Sequence, residues 1–144
     1  MAVKTQPTTI TLKEQPVLKE GQASSAINPG HLVEYGGAKE LQAQSTAGQD
    51  CRRAFALEDD LIGNSVTDAY AADSNVRYGV FNSGAEVLGR VAAAAPAIAK
   101  YDQLEATGDG TLRKITTGTA IAVALEAVDN SGGGSEVFIQ VEVL

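Results

Sequence analysis

Two residues of this chain, Cys51 and His31, have the chemistry of a nucleophile and its base, and each is the only residue of its type. His31 follows a Pro-Gly turn, and Cys51 precedes Arg52, whose positive charge would lower the pKa of the thiol. No sequence signature of a catalytic family surrounds either residue, and their spacing does not place them together. We therefore expect packing or surface roles for both and no catalytic residue, with a small Cys–His hydrolase as the enzymatic alternative.

Acidic and glycine-rich stretches suggest two kinds of ligand site. Glu58-Asp59-Asp60 could hold calcium together with Asp68 or Asp73, but the alternating ligands of a calcium-binding loop are missing. Gly132-Gly133-Gly134-Ser135 lacks the Lys and the following helix of a phosphate-binding loop. We expect a solvated acidic turn and a hairpin connection at these places, with no metal and no cofactor.

The composition of the 144 residues excludes several classes of protein. One Cys cannot form an internal disulfide or a Cys-based zinc site. Eleven basic residues against eighteen acidic residues, a net charge of −7, argue against a nucleic-acid partner. The chain has four Tyr, three Phe and no Trp. So few aromatic residues disfavour a sugar-binding cleft lined with aromatic side chains and paired carboxylates. A binding or structural role is therefore expected.

A membrane partner is not expected either. The longest apolar stretch, Val91–Ala99, is interrupted by Pro96 and is about half of a membrane span. The first residues lack the apolar core of a signal peptide. The sequence thus predicts a soluble protein made in a cytoplasm.

The sequence predicts that these residues are positioned by short strands separated by frequent turns. Short strands at intervals of about 8–12 residues are typical of an all-β sandwich or barrel. The main exception is a possible short helix from Asp60 through Tyr70. A further turn of helix is possible at Ala92–Ala95. The predicted strands are 31–35, 41–45, 53–57, 77–81, 86–91, 103–106, 112–115, 121–125 and 137–143.

Turn residues predict how some of these strands pair. Asp109-Gly110 is typical of a type I′ hairpin turn, because both central residues of that turn need a positive φ. Asn82-Ser83-Gly84 would join the strands on either side in a hairpin or a meander. The alternating strand Val137–Val143 would follow Ile121–Leu125 after a flexible glycine-rich loop at Asn130–Ser135.

Residues 1–26 differ from the rest of the chain. They carry three Lys against two Glu, a net charge of +1, which leaves −8 for residues 27–144. Two prolines disfavour a long helix, and the β-branched run at Thr8–Leu12 favours extended structure. We expect an extended N-terminal arm over 1–26 and a β-rich domain over 27–144. The residues predicted to dock on a partner are Thr8, Thr9, Ile10, Thr11 and Leu12.

Four stretches of the chain resemble the capsid decoration, or cement, proteins of tailed bacteriophages. Ile27–Tyr35 is similar to the opening of their β-domain, and Phe55–Tyr70 is similar to a central stretch. Gly108–Lys114 and Ala124–Asp129 resemble the C-terminal half. The order of these stretches carries the resemblance, which runs from about Ile27 to Leu144 with a compatible arm before it.

This resemblance implies a small β-barrel or β-sandwich of short antiparallel strands, with at most one or two short helices. It implies a homotrimer on the outer surface of the mature phage head, at three-fold and quasi-three-fold positions. There it would stabilise the capsid by bridging subunits of the major capsid protein, with Thr8–Leu12 as the capsid-binding arm. No catalytic residue, nucleic-acid partner or membrane partner is implied. The alternative is a carbohydrate- or host-surface-binding module of the virion, displayed on loops such as Asn130–Ser135.

Overall fold

The structure is a computed structural model, and it describes residues 6–144 of the chain. Eleven short strands and a single 3₁₀ turn at Asp60–Ile62 make up the regular structure of this part, so the predicted all-β class is confirmed. The strands are β1 (Thr11–Lys13), β2 (Val17–Gln22), β3 (Val33–Tyr35), β4 (Leu41–Ala43), β5 (Ala54–Ala56), β6 (Asn75–Val80), β7 (Glu86–Val91), β8 (Gln103–Ala106), β9 (Leu112–Lys114), β10 (Ala122–Ala124) and β11 (Val137–Val143).

Five strands close into a small barrel. The sheet runs in the order β1-β7-β11-β10-β8-β9, and β9 returns to β7 through a parallel pair between Leu112 and Val91. β11 is the longest strand of the barrel and pairs with β7 over six residues. Its alternating pattern places Ile139, Val141 and Val143 in the core. β1 is added to this sheet outside the ring.

Two smaller sheets lie beside the barrel and form a second core. β2, β6 and β5 make a three-stranded antiparallel sheet, and β3 pairs with β4. Ala23, Ile27, Leu41, Val76 and Tyr78 are buried together in this second core. Phe55 on β5 belongs instead to the barrel core, where it packs edge-on against Phe81 with ring centroids 5.9 Å apart. Ala54 and Ala56 of the same strand lie in the second core, so β5 contributes side chains to both cores.

Three local predictions differ from the structure, one on strand pairing, one on a helix and one on a turn type. β6 and β7 do not form a hairpin, because β6 pairs with β2 and β5 whereas β7 pairs within the barrel. The predicted helix from Asp60 is a 3₁₀ turn that ends at Gly63, whose φ of 81° is left-handed. The β8–β9 hairpin is present, but Gly108 and Gly110 have positive φ and Asp109 does not, so the loop is not a type I′ turn.

The segment at Ala92–Ala95 is a turn and not a helix. Its backbone is held against the glycine-rich loop, because Ala94 N–H donates to the carbonyl of Gly133 at 3.0 Å. The side chain of Asn130 is buried and donates to the carbonyls of Ala92 and Ser135, each at 2.9 Å. The loop predicted as flexible is therefore anchored at its base.

No helix of the described residues is long and apolar enough to cross a membrane.

Candidate functional site

His31 connects two segments of the chain, because both of its ring nitrogens form hydrogen bonds. Nδ1 accepts a hydrogen bond from the backbone N–H of Asn28 at 3.2 Å, which requires the ring proton to be on Nε2. Nε2 lies 2.9 and 3.0 Å from the two carboxylate oxygens of Glu136. Neither nitrogen is therefore left to accept a proton from a nucleophile.

Cys51 is buried, and burial raises the pKa of its thiol although the nearby charge of Arg53 acts in the opposite direction. A thiol with a raised pKa is mostly protonated at neutral pH and is a poor nucleophile. The sulfur belongs to the apolar barrel core. The geometry therefore gives the Cys–His reading no support.

The ion cluster around Glu136 was not predicted from the sequence. Arg90 reaches Glu136 at 3.4 Å, donates to the carbonyls of Pro29 at 2.6 Å and Val66 at 3.0 Å, and stacks on Phe138. Burial lowers the pKa of Arg90, and hydrogen bonding to His31 lowers that of Glu136 in spite of its own burial. The cluster lines a cleft of about 420 Å³, but its charged groups are paired with one another.

Four of the five acidic residues considered for calcium, Glu58, Asp60, Asp68 and Asp73, have other partners. Glu58 accepts the backbone N–H of Ile10 at 2.9 Å, Asp60 pairs with Arg77, and Asp68 accepts from Ser65. Within residues 6–144, no group of three or more His, Cys, Asp or Glu side chains is arranged to hold a metal ion.

The predicted capsid-binding residues Thr8–Leu12 lie against their own chain. Ile10 is fully buried in the barrel core, and its carbonyl accepts the N–H of Leu88 at 2.8 Å. Thr11 pairs with Val87 on β7. Thr8 and Thr9 are exposed, whereas Leu12 packs against the core. Binding of this segment to a capsid stays a prediction.

Exposed apolar side chains gather around β2 and the 3₁₀ turn. Five of the six large apolar residues that are exposed in the described chain lie in this region, with exposed fractions from 57 to 77%. Leu18 and Leu61 line one groove of about 450 Å³ together with Lys19, Glu20, Arg77 and Tyr78. We name this region the β2-edge surface and define it by Val17, Leu18, Lys19, Glu20, Tyr35, Arg52, Leu61, Ile62, Arg77 and Tyr78.

Two tyrosines and an arginine form one end of the β2-edge surface. The guanidinium carbon of Arg52 lies 4.5 Å from the ring centroid of Tyr35 and 5.6 Å from that of Tyr78. The two hydroxyl groups are 3.4 Å apart. Hydrogen bonding to Tyr78 and Arg52 lowers the pKa of Tyr35, and the positive charge of Lys19 acts in the same direction. This end of the surface is therefore aromatic and cationic.

The fold matches a solved structure from a phage head. Comparison of the sequence with protein-family models and with curated proteins gives no match. The crystal structure of the N base of head fiber gp8.5 in bacteriophage phi29 superposes with a TM-score of 0.58. The match covers 90% of this chain and 95% of that chain at 13% sequence identity. At that identity the likeness concerns the fold.

Proposed function

We propose that this protein is a structural component of a bacteriophage virion that attaches to the head. The observation that carries the proposal is the extent of the fold match, which covers 90% of this chain and 95% of the phage head fiber base. The resemblance of Ile27–Tyr35, Phe55–Tyr70 and the two C-terminal stretches to decoration proteins supports the same assignment. A fold alone does not fix a function, so the two lines of support are used together.

In finer detail, we propose a homotrimeric cement protein on the outer surface of the capsid. It would bind at three-fold and quasi-three-fold positions and bridge subunits of the major capsid protein. Three attachments held in one trimer give a high effective concentration, so weak single contacts suffice for stable binding. The β2-edge surface supports this role, because exposed apolar patches on soluble proteins commonly mark interaction sites.

The test is attachment of the purified protein to expanded phage heads assembled from the cognate major capsid protein. We expect the protein to co-sediment with expanded heads and to saturate at a fixed ratio to the capsid subunits. Unexpanded precursor heads are the control and should bind much less. Absence of binding to expanded heads would contradict the proposed function. Sedimentation equilibrium of the free protein tests for a trimer separately.

A further inference from the structure

β2 has an edge that is open over only part of its length. The backbone N–H of Ala23 donates to the carbonyl of Ser74 on the β6 side. On the opposite side, the N–H of Gln22 donates to the carboxylate of Glu40, and its carbonyl accepts the N–H of Glu40. Because the backbone groups of a strand alternate between its two sides, Leu18 and Glu20 have the same outward direction as Gln22. Glu40 covers the edge near Gln22, whereas no hydrogen bond among residues 6–144 occupies it at Leu18 and Glu20.

The open stretch therefore presents two backbone N–H groups and two carbonyls at the spacing of a β-ladder. No described strand pairs with β2 on this side, since β2 is the terminal strand of its sheet. Natural proteins usually protect such edges with charges, bulges or a covering segment. Lys19 and Glu20 are charged, but they are flanked by Val17 and Leu18, which are 58% and 57% exposed. An open ladder bordered by apolar side chains is the arrangement that receives an added strand.

The charges of the β2-edge surface indicate the chemistry of that strand. Asp60 pairs with Arg77, and no ion pair within residues 6–144 involves Lys19, Arg52 or Glu20, so these three groups give the surface an excess of one positive charge. One terminal nitrogen of Arg52, Nη1, is buried and lacks a hydrogen-bond acceptor. These two cations stand on a molecule whose net charge is −7. The surface is therefore complementary to a segment that carries carboxylates as well as apolar residues.

We propose that the open edge of β2 binds an extended, acidic and apolar segment of the major capsid protein, which adds as a further strand beside Leu18 and Glu20. Apolar side chains of the segment would contact Leu18 and Leu61, and its carboxylates would lie near Lys19 and Arg52. This inference rests on the proposed function, because it names the surface through which the protein attaches. It differs from the Thr8–Leu12 prediction, since Ile10 and Thr11 are already engaged within the chain.

The decisive variant is Glu20→Pro, with Glu20→Thr as its matched control. Proline removes the outward N–H and places ring atoms in the path of an incoming strand, while the hydrogen bonds between β2 and β6 are kept. Threonine removes the same carboxylate and keeps the N–H. Binding to expanded heads is measured by co-sedimentation, and thermal unfolding verifies that each variant is folded.

We expect Glu20→Pro to weaken binding to heads at least about tenfold, and we expect Glu20→Thr to bind at least as tightly as the unmodified protein, because it removes a carboxylate beside the acidic segment. A second pair keeps the test valid if proline disturbs folding. Lys19→Glu should weaken binding, and Lys100→Glu, the same charge change at an exposed lysine near Tyr101, should not.

The outcomes separate the two proposals. If the unmodified protein binds heads and both Glu20→Pro and Lys19→Glu bind equally well, the β2 inference is wrong and the proposed function stands. Equal losses in the test and control variants would also overturn the inference. If the unmodified protein does not bind expanded heads, the proposed function fails, and the inference that depends on it fails too.

Discussion

At the scale of single residues, the barrel contains a fully buried carboxylate whose partners are all provided by nearby segments. Glu105 on β8 accepts hydrogen bonds from Arg113 Nε, from the N–H and hydroxyl of Thr116, and from Gly118 N–H, at 2.7 to 3.1 Å. Burial opposes the charge, yet these hydrogen bonds outweigh it and lower the pKa of Glu105. Glu105 thereby fixes the segment that follows β9.

Replacing Glu105 with Gln tests this role. The amide NH₂ would face groups that themselves donate, so we expect the free energy of unfolding to fall by about 2 kcal/mol at neutral pH. The lowered pKa adds stability above the ordinary glutamate pKa of about 4.5, and that stability is lost as pH falls through the lower pKa of the folded state. Denaturant unfolding from neutral pH to about pH 3 should show a smaller decrease for Glu105→Gln than for the unmodified protein. Parallel pH curves would contradict this account.

At the scale of elements, β1 and β2 hold the N-terminal segment in the fold. Ile10 is buried in the barrel core, Glu58 binds its N–H, and β2 pairs with β6 over six residues. A truncation that removes residues 1–25 would therefore remove two strands, β1 and β2, and the core side chains of Ile10 and Ala23. Loss of head binding by such a truncation would not identify a capsid-binding arm.

Ile10→Ala measures the contribution of this segment to stability. We expect a decrease of about 3 kcal/mol in the free energy of unfolding, because a buried isoleucine is replaced by a smaller side chain. Thr8→Ala, at an exposed position two residues away, is the control and should change stability by less than about 0.5 kcal/mol. An Ile10→Ala variant as stable as the control would show that the segment is not part of the core in solution.

The sequence predicts the strands better than it predicts their partners. Alternation locates β11, because the period of two follows from local geometry. It does not show that β6 and β7 enter different sheets, since Asn82-Ser83-Gly84 would be equally suitable in a hairpin. The helix expected from Asp60 fails at Gly63, where the chain turns left-handed.

The contacts of charged side chains were the least predictable part. Arg90 lies in an apolar strand and Glu105 lies between Leu104 and Ala106, and an isolated charge among apolar neighbours is the only local signal of a buried ion. Glu136 is brought near Arg90 by the pairing of β11 with β7, and Thr116 is brought near Glu105 by the β8–β9 hairpin, so both contacts depend on which strands pair. The β2-edge surface likewise depends on which strand ends its sheet, and pairing of that kind is not encoded in β2 alone.

At the scale of the whole molecule, the fold combines a closed barrel with one partly open sheet. Closure removes exposed edges from the ring of β7, β11, β10, β8 and β9. The three-stranded sheet keeps an edge at β2, next to most of the exposed apolar side chains. This division is compatible with the proposed attachment, because the closed barrel exposes no strand edge whereas β2 keeps one available for binding.

The most direct test of the proposed role is a cryo-electron microscopy reconstruction of expanded heads saturated with this protein. We expect three copies of the barrel around each three-fold and quasi-three-fold position on the outer surface, with β2 facing capsid protein density. Density at other lattice positions, or single copies without three-fold contacts, would contradict the trimeric cement role. Heads without any added density at saturating protein would contradict attachment itself.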